Sequence, residues 1–180
     1  MLWLPGKVNR RIQLPVPLYY EALTGTGRFD ISGLPQGFFA LEIILIARSS
    51  VAAAGDSVYM YFNGDTTAAN YRTGRQLAGT GPTNTATDAP DLDTIPAANS
   101  TANDFGHQRI YIPEYAGSKR KSASYLGGQR RDATVIYTTT GLINWENTAA
   151  ITQVTIQPDG YATDTFVAGS TIQIIGRYHL

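Results

Sequence analysis

Two neighbouring runs near the C-terminus, Ala150–Gly160 and Phe166–Arg177, alternate apolar and polar residues, and Pro158-Asp159-Gly160 closes the first with a turn. A period of two puts successive side chains on opposite faces of an extended chain, unlike the 3.6-residue period of a helix that buries one stripe. The pattern recurs back to about Phe29. Phe29 and Ile31 alternate with Asp30 and Ser32, and Val58, Met60 and Phe62 alternate with Tyr59 and Tyr61. Phe38–Ser49 is the longest run, with Phe39, Leu41, Ile43, Leu45 and Ala47 on one face. Ala40, Ile44 and Ile46 make its other face apolar too, which predicts cover on both sides. Asn63-Gly64-Asp65 is a turn signal, because Asn and Gly tolerate positive φ. Further strand-like runs fall at 71–77, 107–115, 122–126 and 132–139. With turn residues between the runs and no amphipathic helix pattern, the chain reads as all-β: a single antiparallel β-sandwich or jelly roll over residues 27–180.

Two segments depart from this rhythm. Residues 1–26 read as an extended N-terminal arm, since Pro5, Pro15 and Pro17 oppose helix and central-strand pairing. The arm is basic through Lys7, Arg10 and Arg11, and apolar through Trp3, Leu4, Ile12, Leu14, Leu18, Tyr19 and Tyr20. Such a segment wants something to bury it, either its own domain as an edge strand or a neighbouring subunit or larger assembly. The second departure is a long polar loop at about 78–106, rich in Gly, Thr, Asn, Pro and Asp, with Leu92–Ile95 as one short strand candidate within it. Asp88, Asp91, Asp93 and Asp104 lie there without a Lys or Arg, whereas the stretch 107–131 holds Arg109, Lys119, Arg120, Lys121, Arg130 and Arg131. Opposed charges of this kind set register and partner choice at a subunit contact, or else pair within one chain.

Composition narrows the function classes. Charged residues make up 16% of the chain, below the roughly 25% of soluble domains. Eleven tyrosines lean toward contact surfaces, although tyrosine also suits strands. A formal net charge of zero argues against nucleic-acid binding through phosphate neutralisation. No apolar run reaches the ~20 residues that span a bilayer, and the best is interrupted by Glu42. Absence of cysteine excludes disulfides and thiolate metal sites.

Little in the chain reads as catalytic apparatus, and no cofactor or metal is expected. His107 and His179 belong to no metal-ligand spacing, and no nucleophile elbow or phosphate loop occurs. Asn63-Gly64-Asp65 with Asp56, and Asp91-x-Asp93, are oxygen-rich enough for Ca²⁺, but turn chemistry explains both.

Several passages carry a resemblance. Tyr61–Arg72, Ile110–Tyr115 followed by Lys119–Ser122, Trp145–Thr152 and Phe166–Gly176 together resemble a recurring type of small virion protein of tailed bacteriophages and prophages. The resemblance spans roughly 29–178 and leaves out the arm. It implies a jelly-roll structural module of the virion, made in the host bacterial cytoplasm. The implied role is a capsid decoration or cement protein that binds the major capsid protein or other virion proteins, as a homo-oligomer with a trimer favoured. The expected contacts are Trp3, Leu4, Arg10, Arg11, Tyr19 and Tyr20 of the arm, with Lys119, Arg120 and Lys121. The alternative is a tail or fibre component that binds a receptor or carbohydrate, for which Tyr111, Tyr115, Tyr125, Trp145 and Tyr161 offer aromatic faces.

Overall fold

Apolar side chains at every second position decide how the strands are layered. The computed structural model describes residues 14–78, 83–130, 136–159 and 163–179, with 83–86 given as backbone. The strands are β1 (Val16–Ala22), β2 (Phe29–Ser32), β3 (Ala40–Ala47), β4 (Gly55–Phe62), β5 (Tyr71–Ala78) and β6 (Thr83–Thr87). They continue with β7 (Asp91–Pro96), β8 (Gly106–Pro113), β9 (Lys121–Arg130), β10 (Ile136–Trp145), β11 (Gln153–Pro158) and β12 (Thr171–Arg177). One 3₁₀ turn, Ala68–Asn70, precedes β5. An eight-stranded sheet has the order β1-β12-β3-β8-β9-β10-β5-β6, and a four-stranded sheet has the order β2-β11-β4-β7. All pairings are antiparallel, and the fold is an all-β sandwich.

Leu41, Ile43 and Leu45 of β3, Ile110 and Ile112 of β8, and Ile172 and Ile174 of β12 form one buried cluster with residues of the smaller sheet: Val58, Met60 and Phe62 of β4, and Val154 and Ile156 of β11. Each such side chain contributes about 1.5–3 kcal/mol on leaving water. Aromatic residues close one end and hydrogen-bond their polar tips, as buried Tyr and Trp require. Tyr71 Oη accepts from Phe62 N at 2.9 Å and donates to Asp65 O at 2.9 Å, while Trp145 Nε1 donates to Asp65 Oδ2 at 2.8 Å. The turn expected at Asn63-Gly64 is present. Both residues have positive φ (52° and 70°), and Asp65 N donates to Phe62 O at 3.0 Å.

Three parts differ from the pattern in the sequence. Residues 16–22, read as arm, form an edge strand on their own domain, paired with β12; the register shifts between Pro17 and Tyr19, where proline has no N–H to offer the ladder. Residues 1–13 of the expected arm lie outside the described residues. The segment read as a polar loop at 78–106 contains β6, and also β7 where Leu92–Ile95 was the short strand candidate, with Leu92 and Ile95 buried. The stretch after β7 is held by a residue remote in sequence: the Arg48 guanidinium donates to the carbonyls of Ala98, Ser100, Thr101 and Asp104 at 2.7–3.3 Å. Finally, β10 runs on to Trp145, beyond the expected end at 139, because it pairs along its length with both β9 and β5.

Candidate functional site

The outer face of the eight-stranded sheet carries the residues that alternation turns away from the core. Glu42, Ile44 and Ile46 of β3 lie beside His107, Arg109 and Tyr111 of β8, with Leu126 of β9 and Leu142 of β10 further along. Ile46, Tyr111, Leu126 and Leu142 are exposed. The cover expected on both sides of Phe38–Ser49 is complete on the inner face; on the outer face Ala40 and Glu42 are buried, Ile44 is half-buried and Ile46 is exposed. A depression of about 540 Å³ lies on this face, lined in part by Glu42, Arg109, Tyr111, Leu126, Thr140 and Arg177.

Glu42 anchors the depression. It stands opposite Tyr111 on one side and Ile175 on the other, so Arg109 and Arg177 lie diagonally across from it on the same face. Arg109 Nε donates to Oε1, and Arg177 donates to Oε2 through Nη2 and through Nε at 2.7 Å. The Glu42 side chain is 4% exposed, against 63% for Arg109 and 34% for Arg177. Burial alone would raise its pKa, but the hydrogen bonds from Arg177 and Arg109 outweigh that and hold it below the ordinary carboxylate value. The carboxylate neutralises one guanidinium charge of two, and the face is left mildly cationic.

A second polar feature lies where β7 meets β5, β9 and β10. Two residues of β7, Leu92 and Asp93, occupy the register shift opposite Val58 of β4. Such a bulge re-aims side chains, and here Asp91, Leu92 and Asp93 are buried in succession. Asp93 has φ 70°, and its N–H donates to Asp91 Oδ1 at 2.6 Å. Arg75 Nη1 of β5 bonds Asp91 Oδ2 and lies 3.7 Å from Asp93 Oδ1; Thr139 Oγ1 of β10 donates to Asp93 Oδ2. Burial pushes the Asp91 carboxyl above its ordinary pKa despite Arg75, while Asp91 and Asp93 outweigh burial on Arg75 and raise its pKa. Gln129 of β9 donates through Nε2 to Thr94 Oγ1. Its Oε1 and the Tyr125 hydroxyl are buried without a hydrogen-bond partner. A cavity of about 270 Å³ adjoins this cluster, lined by Gly55, Arg75, Leu77, Asp93, Thr94, Gln129 and Tyr137.

The contacts expected from sequence scatter. Trp3, Leu4, Arg10 and Arg11 lie outside the described residues. Tyr20 is exposed on β1, whereas Tyr19 is part-buried and donates to Glu21 Oε2 at 2.6 Å; that bond, reinforced by burial, pushes its hydroxyl up to about 12. Lys119 pairs with Glu114 and Arg120 with Glu146, each at 2.7 Å. Lys121 is 1% exposed, and its ammonium turns inward to the carbonyls of Gly117, Lys119 and Thr148. Burial lowers its pKa, opposed by Glu114.

Several opposed charges meet within the chain: Asp88 with Arg72 at 3.4 Å, Asp91 with Arg75, and Asp104 with Arg130 at 3.9 Å. His107 stands opposite Ile46, whereas His179 lies edge-on to Phe39 with ring centroids 4.6 Å apart, so the two histidines sit near opposite ends of β3. Among the aromatics considered for sugar stacking, Tyr115, Tyr125 and Trp145 are buried, Tyr111 is exposed, and Tyr161 lies outside the described residues. The oxygen-rich turn is internally satisfied: Asp65 accepts from Trp145, Asn70 and Thr67. Those bonds overcome burial and lower its pKa.

The residues that define both features were visible in the sequence without their meaning. Glu42 marks itself as a charge inside the most apolar run; Arg75 and Gln129 carry no local signal. No family model matches the chain, and the comparisons with curated proteins and with solved structures find no match.

Proposed function

We propose that this protein is a structural, adhesive module of a tailed-phage virion, a capsid decoration or cement protein with a jelly-roll fold. Strand pairing supports the fold reading. With β5–β6 and β9–β10 set aside, the remaining strands pair first with last: β1 with β12, β2 with β11, β3 with β8 and β4 with β7. This is the pairing expected of one long antiparallel ribbon rolled into two sheets, as in a jelly roll. The two inserted hairpins widen one sheet from four strands to eight.

The observation that carries the function is the outer face of this widened sheet, where Ile46, Tyr111, Leu126 and Leu142 are exposed around the Glu42–Arg109–Arg177 cluster. A rigid face that exposes four large apolar side chains suits burial against another protein. A shell protein that presents its docking site only after assembly would be stabilised by mass action as copies bind. No reaction is needed. Homo-oligomers, of which the trimer is the simplest for quasi-threefold positions on a shell, would multiply the contact by avidity.

The test uses purified particles of the phage that encodes the chain, stripped of this protein, with the wild type and a Leu126→Asp/Leu142→Asp variant. Wild type should co-sediment with the heads and raise the temperature at which they release DNA. The folded double variant should do neither. If the wild type stays in the supernatant, or the variant decorates heads equally well, the proposal fails.

A further inference from the structure

We propose that the cavity between β5, β7, β9 and β10 binds one neutral pyranose ring, independently of the adhesive face. At about 270 Å³ it lies below the ~300–1,000 Å³ of sites for drug-sized molecules, a size suited to a single six-membered ring with its hydroxyls. Its lining divides by chemistry. Leu77 and Tyr137 offer an apolar and aromatic surface for the C–H face of a ring, while Arg75, Asp93, Thr94 and Gln129 bring polar groups for its edge.

The unsatisfied amide decides what the cavity wants. Gln129, which lines the cavity, is 6% exposed, and its Oε1 has no partner. Buried polar groups in native proteins are nearly always paired, so each exception calls for a missing partner. Thr94 can accept from Gln129 Nε2 or donate to Oε1 if the amide turns over, so the group left for a ligand is an acceptor in one orientation and a donor in the other. A hydroxyl satisfies both. Asp93 Oδ1, 3.7 Å from Arg75 Nη1, keeps acceptor capacity for a second hydroxyl.

Charge excludes the other small ligands. Asp91, Asp93 and Arg75 sum to one negative charge in a buried setting, which repels phosphate, sulfate and uronic or sialic acids. A metal cation or ammonium would meet the Arg75 guanidinium, which also lines the cavity and already bonds Asp91. A neutral polyhydroxyl ring meets neither objection. It could come as a free hexose or as the terminal unit of a glycan.

The experiment titrates the full chain by calorimetry and by two-dimensional amide NMR. The ligands are free glucose, galactose, mannose and N-acetylglucosamine, neutral oligosaccharides ending in each, and glucuronate and Ca²⁺ as charged controls. One neutral sugar should bind with roughly millimolar affinity, shifting the amides of Arg75, Asp93 and Gln129. Binding by free sugar and oligosaccharide alike assigns either source; binding by oligosaccharide alone assigns a glycan terminus.

Two variants locate the site. Gly55 lines the cavity, and Gly55→Val adds a side chain there from a Cβ position in ordinary contact, 3.4 Å from Ile95 O and 3.8 Å from the Gln129 amide. Gln129→Met removes the amide. Each should weaken binding at least about tenfold, with a melting temperature at or above that of the wild type for Gln129→Met. Absence of shifts with every neutral sugar, binding of glucuronate or Ca²⁺ instead, or undiminished affinity in Gln129→Met would each overturn the proposal. Head binding by Gln129→Met should match the wild type, so failure here is separable from failure of the adhesive reading.

Discussion

Replacing Glu42 with glutamine isolates the electrostatic centre of the outer face. The carboxylate is almost fully buried and takes hydrogen bonds from two arginines, whereas Arg109 remains largely open to water and Arg177 partly so. Breaking a buried pair costs about 3–5 kcal/mol, and exposed pairs are worth about 0–1 kcal/mol. The glutamine carbonyl keeps one acceptor, but its NH₂ faces a guanidinium donor. A loss of about 2 kcal/mol follows, between those limits and close to one charge-assisted hydrogen bond. For a chain of this length that is a fall of roughly 4–8 °C in melting temperature.

The difference has a sign in pH. Folding lowers the Glu42 pKa, so the folded state binds fewer protons at this position than the unfolded chain. Its stabilisation is complete above the unfolded value of about 4.3 and disappears as pH falls through the lower folded value. Urea melts of wild type and Glu42→Gln at neutral pH and in strong acid provide the assay. The gap should be wide at neutral pH and closed in acid, with an unchanged m-value. Equal stability at neutral pH, or a gap that persists once the carboxyl is protonated, would refute the argument.

Other substitutions test the remaining structural claims. Lys121→Met strands three carbonyls that its ammonium now caps, and should cost about 2–4 kcal/mol in urea melts despite the loss of a buried charge. An unchanged midpoint would mean that the ammonium contributes nothing net. Trp145→Phe removes the donor to Asp65 and should cost about 1–3 kcal/mol at neutral pH. Because that bond helps to lower the Asp65 pKa, the deficit should shrink as pH falls through the folded value of Asp65, as acid titration of stability would reveal. Gly141→Ala places a methyl 2.3 Å from the ring of buried Tyr125, its cross-strand partner, and should destabilise by about 1–3 kcal/mol, measured by thermal melting.

Legibility in the sequence tracks the range of the interaction. Phe29–Ile31, Val58–Phe62 and the two C-terminal runs could be read as strands because period-two burial is a local property of each stretch. Asn63-Gly64 could be read as a turn because its positive φ values follow from residue type. Within the segment 78–106 only Leu92–Ile95 stood out as a strand candidate, and the rest misled for the opposite reason. Its Thr, Asn and Asp content resembles a loop, but β7 is defined by pairing with β4 and its flank by the guanidinium of Arg48. The cluster 119–121 was equally opaque: three consecutive cations look like one basic rim, yet strand alternation and the Gly117 turn send Lys121 inward while its neighbours find surface carboxylates.

Neither candidate feature could be derived from one stretch of chain. Glu42 meets Arg109 and Arg177 across 67 and 135 residues, and Thr139 meets Asp93 across 46. The sequence by itself determined an all-β chain, its main turns, and which residues of most strands turn inward, since those depend on side-chain periodicity and backbone preference. Strand order, and with it the choice of which outward side chains become neighbours, was decided by the tertiary structure. Registry between strands distant in the chain is set by the packing of the whole interior, and no single run of residues encodes it.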